Sequence, residues 1–279
     1  MQARIIVVPY DSGIRDVRMG AGPRRLAAPI TDALRRAGHE VISEGVDVPE
    51  RGASGELAFT LDVLKALADC VAAARRSGAL AIVLAGNCLS SLGTVKGLHK
   101  SSASGVGVVW FDAHGDFNTP ETTRSGFLDG MALAMLTGRC WSGLTARDFA
   151  TVGEHCVVLV GARDLDPKEA MLLDDSRVDR VPASADGATI LARARKLTPR
   201  LEQIYLHVDL DVLDDSEGEA NEYAWPDGLS LATLLHVVRG MAQTGRVSAV
   251  ALTAYDPAYD TDGRIAAAAQ QVILEVCSV

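Results

Sequence analysis

The chain has 279 residues, of which 48% are hydrophobic and 23% are charged, and its formal net charge is −9 at pH 7. This length allows one large α/β domain or two small ones. The negative charge argues against nucleic acid and anionic membrane surfaces as partners, because both require basic patches. A signal peptide and a run of membrane-spanning length are both missing, and the five cysteines are scattered without a CxxC pair. These features predict a cytoplasmic protein without a disulfide framework.

Short apolar segments alternate with segments of helical spacing along the whole chain. The predicted strands cover residues 5–9, 40–43, 79–85, 108–111, 155–160, 204–208 and 247–253. The predicted helices cover residues 23–37, 56–76, 90–97, 129–136, 168–174, 188–196, 230–243 and 264–276. No segment resembles a linker between domains. The pattern predicts a single domain, residues 1–279, in which helices cover both faces of one mostly parallel sheet.

The central predicted strand ends directly in Asp112, His114 and Asp116. In extended backbone this spacing places all three side chains on one face, at the end of the strand where α/β sheets bind ligands. Two carboxylates and an imidazole in a partly buried place are costly unless a cation compensates them. Taken alone, however, such a motif is equally compatible with a polar turn after a strand.

A second acidic cluster follows a later strand, where Asp209 and Asp211 again share one face. Parallel strands present their carboxyl ends at the same edge of a sheet, so we expect the two clusters to meet. Two divalent ions bridged by shared carboxylates would neutralise the combined charge. Because oxygen ligands outnumber the single imidazole, Mn²⁺ is favoured over structural Zn²⁺.

The motif DAHGD at 112–116, the segment NTPETTRSG at 118–126 and the motif DLDVLD at 209–214 together resemble the arginase family of ureohydrolases. The resemblance covers nearly the whole chain. It implies a three-layer α/β/α fold with a mostly parallel sheet of about eight strands. It also implies two Mn²⁺ ions per chain, with Asp112 and Asp209 bridging them, His114 and Asp211 on one ion and Asp116 on the other. A hydroxide between the ions would attack an amidine carbon, so Asp116 also counts as a catalytic candidate.

One expected ligand departs from the family pattern. The family places a histidine of a GGxH motif after an earlier strand, and this chain has Cys88 there. A lone cysteine is often a small buried hydrophobic residue, but at this position we predict a thiolate ligand or near-ligand. A thiolate is a softer donor and makes Zn²⁺ or Fe²⁺ possible. His207 is expected to be a hydrogen-bonded strand histidine, with a supporting or substitute ligand role as the minor alternative.

The resemblance also identifies a substrate pocket. Asn118, Thr123 and Ser125 match the loop that holds the α-carboxylate of arginine, and Asp166 and Glu169 match the segment that holds its α-amino group. Hydroxyl and amide groups suit a carboxylate, and carboxylates suit an ammonium. Turn and cap hydrogen bonds are the alternative role for each of these residues.

The opposite end of the pocket differs from the family. Ala254 stands where the family has the glutamate that pairs with the guanidinium, so unmodified arginine should be a poor substrate. Asp129 stands where arginases have a histidine thought to shuttle protons. An unperturbed aspartate, with a pKa near 3.9, is a weaker proton shuttle at neutral pH; the alternative role of Asp129 is to pair with a cationic tail of the substrate. Tyr223 and Trp225 either line this pocket or pack over the core.

The resemblance therefore implies a hydrolase that cleaves a C–N bond in an arginine-like α-amino acid, most similar to the Nω-hydroxy-L-arginine amidinohydrolase subgroup. Cys88, the run at 117–123 and the segment 221–228 carry that closer likeness. A formimino or linear amide hydrolase is the alternative of the same class. A catalytically dead, metal-poor binding protein is the alternative of another class. By resemblance the chain is also expected to form a homo-oligomer.

Overall fold

Eight strands form one sheet in the computed structural model, which describes residues 1–48 and 55–278. The strands are β1 (Gln2–Val8), β4 (Glu40–Gly45), β5 (Leu80–Ala85), β6 (Val106–Phe111), β7 (Val157–Val160), β8 (Asp179–Val181), β9 (Gln203–Asp209) and β10 (Val247–Thr253). Their order is β4-β1-β5-β10-β9-β6-β7-β8, and every neighbouring pair is parallel. Two further strands of two residues, β2 (Tyr10–Asp11) and β3 (Ile14–Arg15), form a separate antiparallel pair.

Helices cover both faces of the sheet, which confirms the three-layer α/β/α fold. They are α1 (Gly22–Arg36), α2 (Glu56–Arg76), α3 (Ser90–Ser101), α4 (Ala132–Leu136), α5 (Ser142–Asp148), α6 (Pro167–Asp174), α7 (Gly187–Arg195), α8 (Leu231–Ala242) and α9 (Arg264–Cys277). Successive residues of a strand point to opposite faces, so Trp110 belongs to the core under α2, α3 and α4, and Phe111 to the core under α1, α8 and α9. Burial on both faces explains why the central strands are continuously apolar.

The strand register brings the acidic motifs together. Phe111 of β6 pairs with Val208 of β9, so Asp112 and Asp209 follow at the same level. On the other side of β9, Thr253 of β10 pairs with Asp209. The chain leaves β5 at Ala85 and reaches Cys88 three residues later, beside the same edge. The order of the strands therefore confirms that the two acidic clusters meet.

Strand β8 and helix α5 lie where the sequence pattern indicates no element, as do the two-residue strands β2 and β3. Strand β8 is only three residues long, and two of those residues are charged, so its sequence carries no apolar alternation; it forms by pairing with β7 at the edge of the sheet. Helix α5 has a short polar sequence that follows Trp141 in a left-handed backbone conformation. The helix predicted at 129–136 begins as a 3-10 turn, Asp129–Met131, before α4.

Among the described residues, none of the helices combines the length and the apolar character that a bilayer crossing requires. Most of the Gly- and Pro-containing loop between β4 and α2, residues 49–54, and the last residue of the chain lie outside the described part.

The close packing of α2 against α3 depends on glycine. A methyl group added at Gly97 of α3 would meet Val71 Cβ at 2.5 Å and the Ala68 carbonyl oxygen at 2.7 Å. No side chain larger than hydrogen fits there without moving one helix. Because α3 begins two residues after Cys88, a shift of this helix would also move the loop that carries Cys88.

We expect Gly97→Ala to lower the free energy of unfolding by about 1–3 kcal/mol, because the added methyl group overpacks the contact between the two helices. Urea denaturation of the purified variants measures this change. The control is Gly143→Ala in the exposed helix α5, where an added methyl group meets nothing within 4 Å. The control should be neutral or slightly stabilising, because alanine is the better helix former. Equal stability losses in the two variants would contradict the packing explanation.

Candidate metal centre and substrate pocket

The first half of the centre is formed by His114 between two carboxylates. Its Nδ1 lies 3.3 Å from Asp112 Oδ1 and 3.4 Å from Asp211 Oδ2, and one ligand atom from each residue lies within 4.8 Å of the others. Burial by itself lowers the pKa of His114, but the adjacent Asp211 and Asp112 carboxylates outweigh burial and raise it well above its usual value. The three side chains that the sequence predicted as ligands of one ion are therefore within coordinating reach of one another.

The second half of the centre contains Cys88, Asp116 and Asp209. The Cys88 thiol donates to Asp209 Oδ2 at 3.0 Å. Burial, followed by the neighbouring carboxylates, raises the pKa of Cys88 well above its usual value, so the side chain is a protonated thiol when no metal compensates it. Asp116 Oδ2 is buried and has no hydrogen-bond partner among the described residues. Asp116 also has a left-handed backbone conformation, with φ of 47°.

The donor set fits divalent cations. Asp112, Asp116, Asp209 and Asp211 are at most 7% exposed. Within the described part of the chain, no lysine or arginine forms an ion pair with any of these four carboxylates. Of the four, His114 pairs with Asp112 and Asp211, and its Nε2 also lies 3.7 Å from Asp164 Oδ2. A buried carboxylate oxygen without a partner is costly unless a cation binds it. The carboxylates, the imidazole and the thiol are all common ligands of transition-metal ions.

Asp129 has a structural role that the sequence did not indicate. Its Oδ2 accepts hydrogen bonds from the backbone N–H of Cys88 at 3.0 Å and from Asn87 Nδ2 at 3.1 Å, and its Oδ1 accepts from the Leu89 N–H at 2.8 Å. The expectation of an unperturbed aspartate was wrong, since burial raises the pKa of Asp129 to about 7. The carboxylate therefore holds the loop that carries Cys88 and already has three donors, which compete with a cationic substrate tail.

A cavity of about 220 Å³ opens beside these ligands. All five residues predicted to bind the α-amino acid end of a substrate line it: Asn118, Thr123, Ser125, Asp166 and Glu169. The predicted ligands Cys88, His114, Asp116, Asp209 and Asp211 line it as well, together with Asp129. Asp112 lies beneath them, with Oδ2 accepting a hydrogen bond from Trp110 Nε1 at 2.9 Å.

Several of the cavity residues also brace the loops around it. Thr123 Oγ1 accepts a hydrogen bond from the Gly126 N–H, and Ser125 Oγ accepts one from the Phe127 N–H. The two carboxylate oxygens of Glu169 accept hydrogen bonds from the backbone N–H groups of Phe117 and Asp166. Burial raises the pKa of Glu169 to about 7. Thr123, Ser125 and Glu169 therefore make the turn and cap hydrogen bonds that were the alternative prediction, and they also line the cavity.

Part of the cavity lining is apolar. Ala254, Phe127, Tyr223 and Met19 contribute to it; the Phe127 and Tyr223 rings stack with centroids 5.9 Å apart, and the Tyr223 ring meets the His114 ring edge-on at 6.3 Å. Tyr223 was named from the sequence, whereas Phe127 and Met19 were missed because no charge or motif marks them. Trp225, which was named with Tyr223, does not line the cavity and is 49% exposed.

His207 is buried beside the ligands. Its ring stacks on Trp110 with centroids 3.7 Å apart, and its Nδ1 lies 2.7 Å from the Tyr205 hydroxyl. Burial lowers the pKa of His207 to about 3, so the ring is neutral. The hydrogen-bonded strand histidine that the sequence predicted is therefore observed. The fold and the site together define a three-layer α/β/α protein with a candidate two-ion centre at the carboxyl edge of its sheet.

Comparison with known proteins identifies the family. The sequence model of the arginase family matches residues 1–278. An arginase of Brucella melitensis is 32% identical over 286 residues, which cover 96% of this chain and 93% of that relative. An arginase of Entamoeba histolytica, solved with L-ornithine, has a TM-score of 0.89 at 25% identity and covers 100% of this chain and 99% of its own. Formimidoylglutamase of Bacillus subtilis has a TM-score of 0.76 at 19% identity, with coverage of 99% and 86%.

The chain belongs to the arginase family, since the family match covers almost its entire length and a relative above 30% identity covers most of it. It is therefore an arginase-family hydrolase.

The free energy of unfolding of the metal-free protein should depend on pH, because buried groups of the centre have shifted pKa values. The pKa values of Asp129 and Glu169 are raised from 3.8 and 4.5 to about 7. Their folded-state pKa values exceed the unfolded ones, so their contribution to stability is complete below the unfolded values and is lost as the pH rises towards about 7. The lowered pKa of His207 has the opposite effect, since it makes the stability increase with pH, but only below the unfolded pKa of 6.5.

We expect the melting temperature in excess chelator to fall as the pH rises from about 6 to about 8, because buried carboxyls must then ionise. Saturating Mn²⁺ should remove or reverse this fall, since bound cations compensate the same carboxylates. Thermal unfolding followed by circular dichroism measures both series. A melting temperature that rises with pH in chelator would contradict the assignment of these buried carboxyls.

Proposed function

We propose that this chain is a two-metal hydrolase that cleaves a C–N bond in the guanidino or amidino group of an arginine-like α-amino acid, such as Nω-hydroxyarginine. The observation that carries the proposal is that four buried carboxylates, Asp112, Asp116, Asp209 and Asp211, surround a single imidazole beside a cavity lined by amide, hydroxyl and carboxylate side chains. His114 pairs with two of the four, so bound cations would compensate the remaining negative charge.

Each ligand has a distinct task in this proposal. Asp112 and Asp209 lie on neighbouring strands and would bridge the two ions, while His114 and Asp211 would complete one of them. Cys88 and Asp116 would complete the other, and the unpartnered Asp116 oxygen supports this assignment. Bound divalent ions would supply the activation of water that hydrolysis of an amidine at neutral pH needs. Asp129, with its pKa near 7, would move protons at this end of the cavity.

The metal, the substrate-binding residues and the assembly complete the proposal. The centre would hold two Mn²⁺ ions per chain, with Zn²⁺ or Fe²⁺ possible because of Cys88. Asn118, Thr123 and Ser125 would bind the substrate α-carboxylate, and Asp166 and Glu169 would bind its ammonium. We also propose a cytoplasmic homo-oligomer of single-domain subunits that acts on a small amino acid, with neither a nucleic acid nor a membrane as a partner.

The apolar part of the cavity lining supports a substrate other than arginine. Ala254 offers no carboxylate to a guanidinium, and Phe127 and Tyr223 line the same cavity. A hydroxyguanidine is less basic than a guanidine, so it depends less on a charged partner. Water addition to its central carbon and cleavage of the bond to the side chain would give ornithine and hydroxyurea.

Ala254 also favours a second candidate, a hydrolase of formimino amino acids, because a formimino group needs no paired carboxylate. The structural similarity to a formimidoylglutamase extends over 99% of this chain, although at 19% identity it concerns the fold alone. A catalytically dead binding protein is the remaining alternative.

The decisive experiment is a substrate screen with protein loaded with Mn²⁺. The panel contains arginine, Nω-hydroxyarginine and N-formiminoglutamate, with agmatine as the analogue that lacks the α-carboxylate. We expect turnover of Nω-hydroxyarginine, weak or undetectable turnover of arginine, and none of agmatine. Preferred turnover of the formimino substrate would select the second candidate. If no substrate turns over although two ions are bound per chain, the hydrolase proposal fails.

Asp209→Asn separates an enzyme from a dead scaffold. In an enzyme, loss of a bridging carboxylate abolishes turnover, and folding changes little because the amide keeps the shape of the side chain. In a scaffold without metals, the same change relieves repulsion between buried carboxylates and raises the melting temperature in the presence of Mn²⁺. Steady-state kinetics and thermal unfolding with added Mn²⁺ measure the two outcomes.

Ala254→Glu tests the guanidino end of the pocket. A carboxylate there would form a charge-assisted pair with a guanidinium, and we expect kcat/KM for arginine relative to Nω-hydroxyarginine to rise by about tenfold or more. Ala254→Gln is the matched control, because it has the same size without the charge. The hypothesis is wrong if both variants change the ratio equally.

A further inference from the structure

The imidazole of His207 is held rigidly in the interior of the sheet. The ring is 0% exposed and lies nearly parallel to the Trp110 indole, with an interplanar angle of 20°. The Tyr205 hydroxyl lies 2.7 Å from Nδ1, which fixes the orientation of the ring within its plane. The other nitrogen, Nε2, has only one polar neighbour near it among the described hydrogen bonds, Thr253 Oγ1 at 3.4 Å.

That weakly bonded nitrogen faces the metal ligands. Thr253 Oγ1 lies 3.3 Å from Cys88 Sγ, so the threonine hydroxyl touches both the thiol and the imidazole. One ligand atom from each of Cys88, Asp112 and His207 lies within 4.8 Å of the others. Ligands of one transition-metal ion have this separation, because each lies about 2.0–2.3 Å from the ion.

We propose that His207 supplies the imidazole of a soft-metal position made by Cys88, Asp112 and His207, and so replaces the histidine that residue 88 lacks. The inference rests on the proposed function only in that both use the same centre. It adds an imidazole to the donors proposed for one ion, which then include one thiolate, one imidazole and the shared carboxylate of Asp112. Sulfur and nitrogen donors together select Zn²⁺ over Mn²⁺.

The surroundings of His207 suit a ligand. A ligating histidine usually donates its second N–H to a partner that fixes the tautomer. The Tyr205 hydroxyl at Nδ1 is in position to accept that proton, which leaves the Nε2 lone pair directed towards Thr253 and Cys88.

The two ion positions would then differ in chemistry. The group of Asp112, His114 and Asp211 offers mostly oxygen and favours Mn²⁺, whereas the group with Cys88 and His207 favours Zn²⁺. Asp112 belongs to both groups and would bridge the ions. The centre would then hold two different metal ions.

The test uses full-length His114→Asn protein loaded with one equivalent of Zn²⁺. This variant removes the other imidazole of the centre and leaves His207 untouched, so the result does not depend on whether a His207 variant folds. Zinc-edge X-ray absorption should show one sulfur at about 2.3 Å and one imidazole nitrogen at about 2.0–2.1 Å. A sulfur shell without imidazole scattering, or failure to bind zinc, would overturn the inference.

A second pair of variants checks the orientation of His207 in the same background. Tyr205→Phe removes the hydroxyl at Nδ1, and we expect zinc affinity to fall by about 10–100-fold while the sulfur shell is retained. Thr253→Val is the matched control: it removes the hydroxyl beside Nε2 but no proposed ligand, so the imidazole shell should remain. Competition with a chromogenic chelator measures the affinities. Unchanged affinity in Tyr205→Phe would contradict a ligating role for His207.

The two proposals fail separately. Hydrolysis by the wild-type protein without imidazole scattering in His114→Asn would overturn the His207 inference and leave the hydrolase proposal intact. Imidazole scattering in a protein that turns over none of the panel substrates would do the reverse.

Discussion

Buried negative charge at the carboxyl edge of the central strands is the constraint on which the rest of the structure depends. Asp112, Asp209 and Asp211 are almost completely buried, and Asp116 has an oxygen without a hydrogen-bond partner in the described part of the chain. Such carboxylates cannot all ionise together without cations. The parallel sheet brings them into contact because β6 and β9 are neighbours in register. The fold therefore disfavours the ionised form of these carboxylates, and metal binding would offset this effect.

Carboxylates also fix the walls of the pocket. Asp129 accepts the backbone N–H groups of Cys88 and Leu89, and Glu169 accepts those of Phe117 and Asp166. The first holds the loop with the thiol, and the second joins the loop after the DAHGD motif to the start of α6. Hydrogen bonds from backbone N–H groups to buried carboxylates are strong and directional. The same chemical group therefore serves metal binding and positioning, and only its partners distinguish the two roles.

The departures from the family pattern affect one cavity. Cys88 stands where the resemblance places an imidazole, Ala254 stands where it places a carboxylate, and Phe127 and Tyr223 add aromatic surface to the same cavity. Together they make the cavity less charged and more polarisable than the family pattern implies. These departures link the proposed preference for a less basic substrate with the proposed difference between the two ions.

The sequence alone determined the architecture and predicted most of the residues that line the candidate site. Strand and helix periodicity is local, so the alternation and the acidic strand ends are visible in one dimension, and they predicted the parallel sheet and the meeting of Asp112 with Asp209. Strand β8 was missed because its three residues form a strand only by pairing with β7. The raised pKa of Asp129, the apolar wall at Phe127 and the position of His207 beside Cys88 depend on contacts between residues distant along the chain. Only the tertiary structure decided these, because burial and distance arise when the strands and loops pack together.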